Sequence, residues 1–209
     1  MSTLLPHQRY GDIHHRIDIP NGSAYYPQII WHLIRYKFVR GFVKPTDEIL
    51  DIACGTGYGT QFISDYCKSI VGVDHDEETI KYAEKIYGGD NRTFRVGDVL
   101  EVSGKYDIII CYETIEHITR ADGLTVMQKF KNCLKPNGVL FISTPKKLPV
   151  EECSPNRIES HLYEYDLEEF QELLNKFFER PILFSQTDEI ITIGNLKAVW
   201  TFIGVCFNG

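Results

Sequence analysis

Residues 49 to 59 read Ile-Leu-Asp-Ile-Ala-Cys-Gly-Thr-Gly-Tyr-Gly, an apolar run that enters a glycine-rich turn with Asp51 four residues before the first glycine. Gly55, Gly57 and Gly59 permit a tight turn and let backbone come close to a ligand. Asp51 restricts what that ligand can be. A dinucleotide pyrophosphate is doubly negative and a nearby carboxylate repels it, whereas a ligand carrying ammonium and sulfonium groups is attracted.

Three further carboxylates come at strand ends. Asp74 closes Ser-Ile-Val-Gly-Val-Asp, 23 residues after Asp51. An acid there in a doubly wound sheet accepts hydrogen bonds from ribose hydroxyls, at a usual offset of about 20 residues. Asp98, in Phe94-Arg-Val-Gly97-Asp98-Val99, is placed to accept from an adenine amino group. Tyr106 to Cys111 is an apolar strand leading into Tyr112-Glu113-Thr-Ile-Glu116-His117. Glu113, Glu116 and His117 are spaced i, i+3 and i+4, one face of the stretch if it is helical. Ser160-His161-Leu-Tyr163 lies beyond the next strand. Two active-site chemistries are open. His117 or His161 is a general base, tunable near neutral pH, with Glu116 beside it. Alternatively, the carboxylates and imidazoles hold a divalent metal that lowers a hydroxyl pKa.

The ordered set of strand, glycine turn, acid, Gly-Asp and buried strand resembles the class I S-adenosylmethionine-dependent methyltransferases over roughly residues 25 to 207. The Tyr25-Tyr26 and Arg35-Tyr36-Lys-Phe38 pattern is similar to a subgroup associated with bacterial surface polysaccharide synthesis. The resemblance implies that Asp51 and the segment Ala53, Cys54, Gly55, Thr56, Gly57 hold the methionine portion of S-adenosylmethionine. It implies that Asp74 binds ribose, that His75 packs near adenine, and that Gly97, Asp98 and Val99 bound the ring. Tyr36, Tyr112 and Glu113 complete the expected cofactor contacts. The acceptor it implies is a small polar molecule, a sugar or nucleotide-linked glycan precursor methylated on oxygen. Glu113, Glu116, His117 and His161 are also similar to the metal site of the small-RNA 3′-terminal 2′-O-methyltransferases (the Hen1 family). N-methylation and a non-catalytic cofactor-binding subunit are the competing readings. A nicotinamide-dependent dehydrogenase is disfavoured by Asp51 and by glycines two apart, without a Gly-x-Gly-x-x-Gly spacing.

The elements that must position these residues alternate between strand and helix. Pro27 opens a helix through Leu33, Ile34 and Phe38, closed by Gly41 and Pro45. Strands are expected at 48–53, 69–74, 94–98, 106–111, 139–143, 180–186 and 197–207. Helices are expected over 77–87 and 122–134, with another from the Asp166 cap to Phe178. Near-continuous apolar strands imply an α/β, doubly wound, mostly parallel seven-stranded sheet covered on both faces. The short link 187–196 forces the last strand to run antiparallel.

With 209 residues, the chain is read as one domain. Residues 1–44 form an N-terminal arm and helix over the site, and 145–163 a polar substrate-side insertion. A formal charge of −7 argues against a nucleic-acid surface. The absence of a long apolar run argues against a membrane span. Six scattered cysteines without a Cys-x-x-Cys pair point to a reduced, cytoplasmic setting.

Overall fold

A computed structural model describes residues 26–193 and 199–209. The arm expected over residues 1–24 and the contribution of Tyr25 lie outside the described residues. Helix α1 (Tyr26–Arg40) carries Lys37 and Arg40 in its last turn, where cations offset the exposed carbonyls. Gly41 and Phe42 then close it through hydrogen bonds to Phe38 and Val39 carbonyls.

The strands β1 (Glu48–Ile52), β2 (Ser69–Asp74), β3 (Arg92–Val96), β4 (Tyr106–Cys111) and β5 (Leu134–Pro145) are mutually parallel. Strand β6 (Ile182–Thr187) is followed by β7 (Ile190–Thr192) and β8 (Thr201–Phe207). Strand β8 inserts between β5 and β6 and runs antiparallel to both. The order across the sheet is β3-β2-β1-β4-β5-β8-β6-β7. The 187–196 link contributes an eighth strand to the seven expected. Asp188, at a φ of 50°, turns the chain so that Thr187 pairs with Ile190 in a two-residue hairpin.

Alternation along the central strands sends side chains to two cores. Ile49, Ile108, Ile110 and Phe141 pack with Tyr36 and Val39 of α1 and with Tyr58 and Ile63 of α2 (Tyr58–Ser64). Leu50, Ile52, Ile109 and Ile142 face the other way. They meet α4 (Arg120–Cys133) through Met127 and Phe130, and α6 (Leu167–Phe177) through Phe170 and Leu174. Asp166 and Glu169 form the expected reciprocal cap of α6. Helix α3 (Glu77–Tyr87) starts at the Asp76 cap and covers Cys54 and Phe94 through Ile80 and Ala83.

The order of the strands decides where a ligand sits. The chain leaves β1 toward β2 and β3 on one side and returns to β4 and β5 on the other, so the carboxyl ends of β1 and β4 flank the switch point. Both exits carry a residue forced to positive φ, Ala53 at 58° after β1 and Glu113 at 50° after β4. Non-glycine residues hold that conformation at a cost of about 1–3 kcal/mol, and they gather at ligand clamps.

Candidate active site

Between these exits lies a cavity of about 770 Å³, within the range usual for small-molecule sites. Tyr36, Ala53, Cys54, Gly55, Thr56, Asp74, His75, Gly97, Asp98, Val99, Tyr112, Glu113 and His117 of the expected site residues line it. Asp51, Gly57, Glu116 and His161 do not. His32, Ile52, Tyr58, Leu100, Thr114, Ile118 and Ser160 also line it, none of them expected from the sequence.

The end of the cavity beside the exits of β1, β2 and β3 is shaped by backbone. Gly55 and Gly57 both take positive φ, and a Cβ on Gly57 would stand 2.6 Å from the Phe94 ring beneath it. The Asp74 carboxylate is buried and accepts from the Gly55 amide at 3.0 Å and the Asp76 amide at 3.1 Å. It therefore ties the exits of β1 and β2 together, and His75 Nδ1 approaches it at 3.3 Å. Asp98 accepts from the Leu100 amide at 2.7 Å and is exposed at the rim.

Asp51 lies beneath this floor. It shares a face of β1 with Ile49, and that face is covered by α1 and α2. Its carboxylate is 1% exposed, accepting from Thr60 Oγ1 at 2.6 Å and from the Tyr36 hydroxyl at 3.2 Å. Burial pushes its pKa up to about 7, and the Thr60 and Tyr36 hydrogen bonds only partly oppose that shift. Tyr36, itself a cavity wall, stands between Asp51 and the cavity. The tyrosine reaches this position because residue 59 is glycine: a Cβ there would be 2.0 Å from the Tyr36 ring.

At the other end the side chains arrive from distant segments. Arg35 of α1 is 3% exposed and pairs with Glu113 at 2.7 Å. Ser143 of β5 donates to the same Glu113 oxygen at 2.7 Å and accepts from the Glu113 amide at 3.1 Å. The left-handed turn at Glu113 is thus locked by both neighbouring elements. The chain then makes a single 3-10 turn, Ile115–His117, and not an α-helix. Glu113 and Glu116 consequently point to different partners. Glu116 is 1% exposed and accepts from Thr144 Oγ1 at 3.2 Å. Burial, then the nearby Glu113 charge, raises its pKa well above the usual carboxylate range.

His117 Nδ1 lies 2.8 Å from the Ser160 carbonyl. A carbonyl only accepts, so Nδ1 carries the hydrogen, and in the neutral ring Nε2 keeps its lone pair. Burial lowers the His117 pKa, partly offset by the Ser160 carbonyl. The His161 ring packs edge-on against it, with centroids 4.9 Å apart. One ligand atom from each of Glu116, His117 and His161 lies within 4.8 Å of the others. Of the four residues expected to hold a metal, the structure gathers these three and assigns Glu113 to Arg35. One carboxyl and two imidazoles are a donor set that suits a divalent first-row metal.

The insertion contains a tight turn, Val150–Glu152, and a short helix, α5 (Pro155–Ser160), capped by Ser154. It delivers Ser160 to the cavity. Its surface is less polar than its composition suggests, since Val150, Ile158 and Leu162 are exposed.

Residues 49–138 match the family described as Methyltransferase domain. The matched stretch runs from β1 to the start of β5 and includes the glycine-rich turn, Asp74, Asp98 and the Glu113–His117 segment. It is similar to a probable S-adenosylmethionine-dependent methyltransferase of Mycolicibacterium smegmatis, 28% identical over 104 residues covering 48% of this chain and 39% of that protein. It is equally similar to a ubiquinone biosynthesis O-methyltransferase of Haemophilus ducreyi, 28% identical over 60% of this chain and 57% of that one. The chain therefore spans about four to six tenths of the length of these curated relatives. The solved methyltransferase domain of a bacterial Hen1 protein (CtHen1-CN) shares the fold at a TM-score of 0.66 and 17% identity. That match covers 85% of this chain and 99% of the solved one. No described helix is long and apolar enough to cross a membrane, and all six cysteines are free.

Proposed function

We propose that the methyltransferase domain transfers the methyl group of S-adenosylmethionine to a hydroxyl of a small polar acceptor, a sugar or nucleotide-linked glycan precursor. One observation carries the cofactor choice. Among the described residues the cavity is lined by the carboxylates of Asp74 and Asp98, with Glu113 paired to Arg35 behind the wall, and by no lysine or arginine. Such a wall favours a cationic ligand and repels a pyrophosphate.

When bound, the cofactor supplies a methyl group on a sulfonium centre whose departure as a neutral thioether drives the reaction. The chain's own residues then bind, orient and move one proton. Ala53, Cys54, Gly55, Thr56 and Gly57 hold the methionine portion with backbone, and Tyr36 presents a hydroxyl backed by Asp51. Asp74 accepts from the ribose hydroxyls. His75, Gly97 and Val99 bound the adenine, and Asp98 accepts from its amino group. Tyr112 and Glu113 close the sulfonium end. His117 Nε2, neutral and bare, takes the acceptor proton, with Glu116 and His161 behind it. Holding acceptor and donor in line accounts for most of the remaining rate. Thr114, His117 and Ser160 on the cavity wall support a hydroxylated acceptor, and the relative named as an O-methyltransferase supports oxygen as the atom methylated.

The test is transfer of labelled methyl groups from S-adenosylmethionine to a panel of monosaccharides, nucleotide sugars, phenols and amines. Incorporation into sugar hydroxyls is expected. Labelling of amines alone would overturn the oxygen assignment, and tight cofactor binding with no acceptor labelled would leave a binding subunit.

The gathering of Glu116, His117 and His161 favours a second reading, in which these residues hold a divalent metal that acidifies the acceptor hydroxyl, as in a 2′-O-methyltransferase. Calorimetry with manganese separates the two. Stoichiometric binding lost in His161→Ala supports the metal, and no binding supports the imidazole base.

A further inference from the structure

Glu164 takes no direct part in methyl transfer, yet its hydrogen bonds define the state of His161. Its Oε1 receives Arg157 Nε at 2.5 Å and lies 2.5 Å from His161 Nδ1, while its Oε2 accepts from the Leu148 amide at 3.3 Å. Arg157 is fixed in turn by donating to the Lys146 carbonyl at 2.7 Å. The carboxylate is only 12% exposed. With a guanidinium and an amide donating to it, Glu164 is an acceptor throughout. The hydrogen shared with His161 must then reside on Nδ1, which in the neutral ring puts the lone pair on Nε2.

We infer that Glu164 is the positioning residue for His161, fixing the ring's tautomer and orientation so that Nε2 faces the cluster with His117 and Glu116. This rests on the reading of His117 and His161 as the acceptor-side pair.

Two observations separate this from a merely structural ion pair. First, the same tautomer is imposed twice by unlike means: His117 Nδ1 donates to the Ser160 carbonyl, and His161 Nδ1 to Glu164. When both rings are neutral, two imidazoles packed 4.9 Å apart thereby keep their lone pairs on Nε2, the arrangement a shared proton or a shared cation requires. Second, Arg157, Ser160, His161 and Glu164 lie within eight residues of one another. The 145–163 insertion and the residue just beyond it therefore carry their own orienting network, and the Tyr163 amide ties them to the Glu116 carbonyl at 3.1 Å. Carboxylates that hold the far nitrogen of a functional histidine act in this way, and losing one typically lowers activity or metal affinity about 10- to 100-fold.

The experiment is long-range proton–nitrogen NMR of the full chain, at a pH where the ring is neutral, with the His161 signals assigned by their loss in His161→Ala. Wild type should show the Nδ1–H tautomer. Glu164→Leu should shift the tautomer ratio by about 10- to 100-fold, the size of a lost hydrogen bond to a charged group. Glu164→Gln keeps the shape without the charge and should fall between. A wild-type ring in the Nε2–H form, or a ratio unmoved in both variants, overturns the inference. Should the leucine variant not fold, wild type and the glutamine variant decide. Calorimetry with S-adenosylmethionine reads the proposed function separately. Equal binding by wild type and Glu164→Gln is expected, and failure of both to bind would sink that function without touching the tautomer result.

Discussion

At the nucleoside end of the cavity a ligand meets turns formed by residues adjacent in the chain, whereas at the acceptor end it meets side chains from four separate segments. Gly55, Gly57, Asp74 and Asp98 work through φ angles and backbone amides within one strand exit each, Asp74 linking two of them. Arg35, Glu113, Ser143 and Glu116 come from α1, the exit of β4 and the end of β5, with His117 beside Glu116 at the β4 exit and His161 and Glu164 joining from the insertion side. The first construction is a fixed receptacle for one ligand. The second can change its acceptor by changing one loop, which is how a common scaffold comes to serve different chemistries.

Substitutions at the two ends should therefore fail differently. The largest effect expected is that of His117→Ala, which removes the proposed proton acceptor. Methyl transfer should fall by roughly 10²- to 10⁴-fold while calorimetric affinity for S-adenosylmethionine stays unchanged. A fall in affinity of the same size would erase the distinction between the ends.

Next comes the pH response of the buried floor. The folded pKa of Asp51 is raised from 3.8 to about 7, so the native state retains a proton that the unfolded chain releases. The Asp51 contribution to stability is greatest below pH 4, declines as pH rises toward 7, and levels off above it. That decline is on the order of 4 kcal/mol. Thermal melts of wild type against Asp51→Asn should show this dependence lost in the variant.

Glu113→Ala leaves Arg35 buried without its counter-charge. The loss in unfolding free energy should be about 2–3 kcal/mol, below the range for fully buried pairs because Glu113 is 26% exposed. Urea denaturation checks it, and a neutral result would mean the acceptor-side network is not what holds the β4 exit.

The smallest effect is at the nucleoside end. Asp74→Asn preserves shape but not charge and should weaken S-adenosylmethionine binding about 10- to 30-fold, the size of one hydrogen bond to a charged group, with little change in kcat.

Legibility in the sequence divides along the same line. The cavity floor from Gly55 to Asp98 could be read because each strand and its exit turn are contiguous, and strands β2 and β4 and helix α3 fall where their apolar runs and caps put them, whereas Asp51, expected to face the ligand, is buried beneath that floor. The acceptor end could not. Nothing in the spacing of Glu113, Glu116 and His117 reveals that Glu113 adopts a positive φ, and the spacing that would align them on a helix is broken there. Arg35 stands in a recognisable pattern, but its pairing with Glu113 across 78 residues is a tertiary fact. His32 escapes a reading of the sequence although it lies one turn before Arg35 and Tyr36, the one local signal that could have placed it on the cavity wall. Strand β7 is hidden because three residues are too short a run for alternation to register.

The electrostatic character of the cavity is tested most directly by titrating the purified chain, in parallel, with S-adenosylmethionine and with a nicotinamide dinucleotide in one calorimetric series. Saturable binding of the sulfonium cofactor at one per chain, with no heat from the dinucleotide, is the predicted result. Binding of the dinucleotide, or of neither, would contradict it.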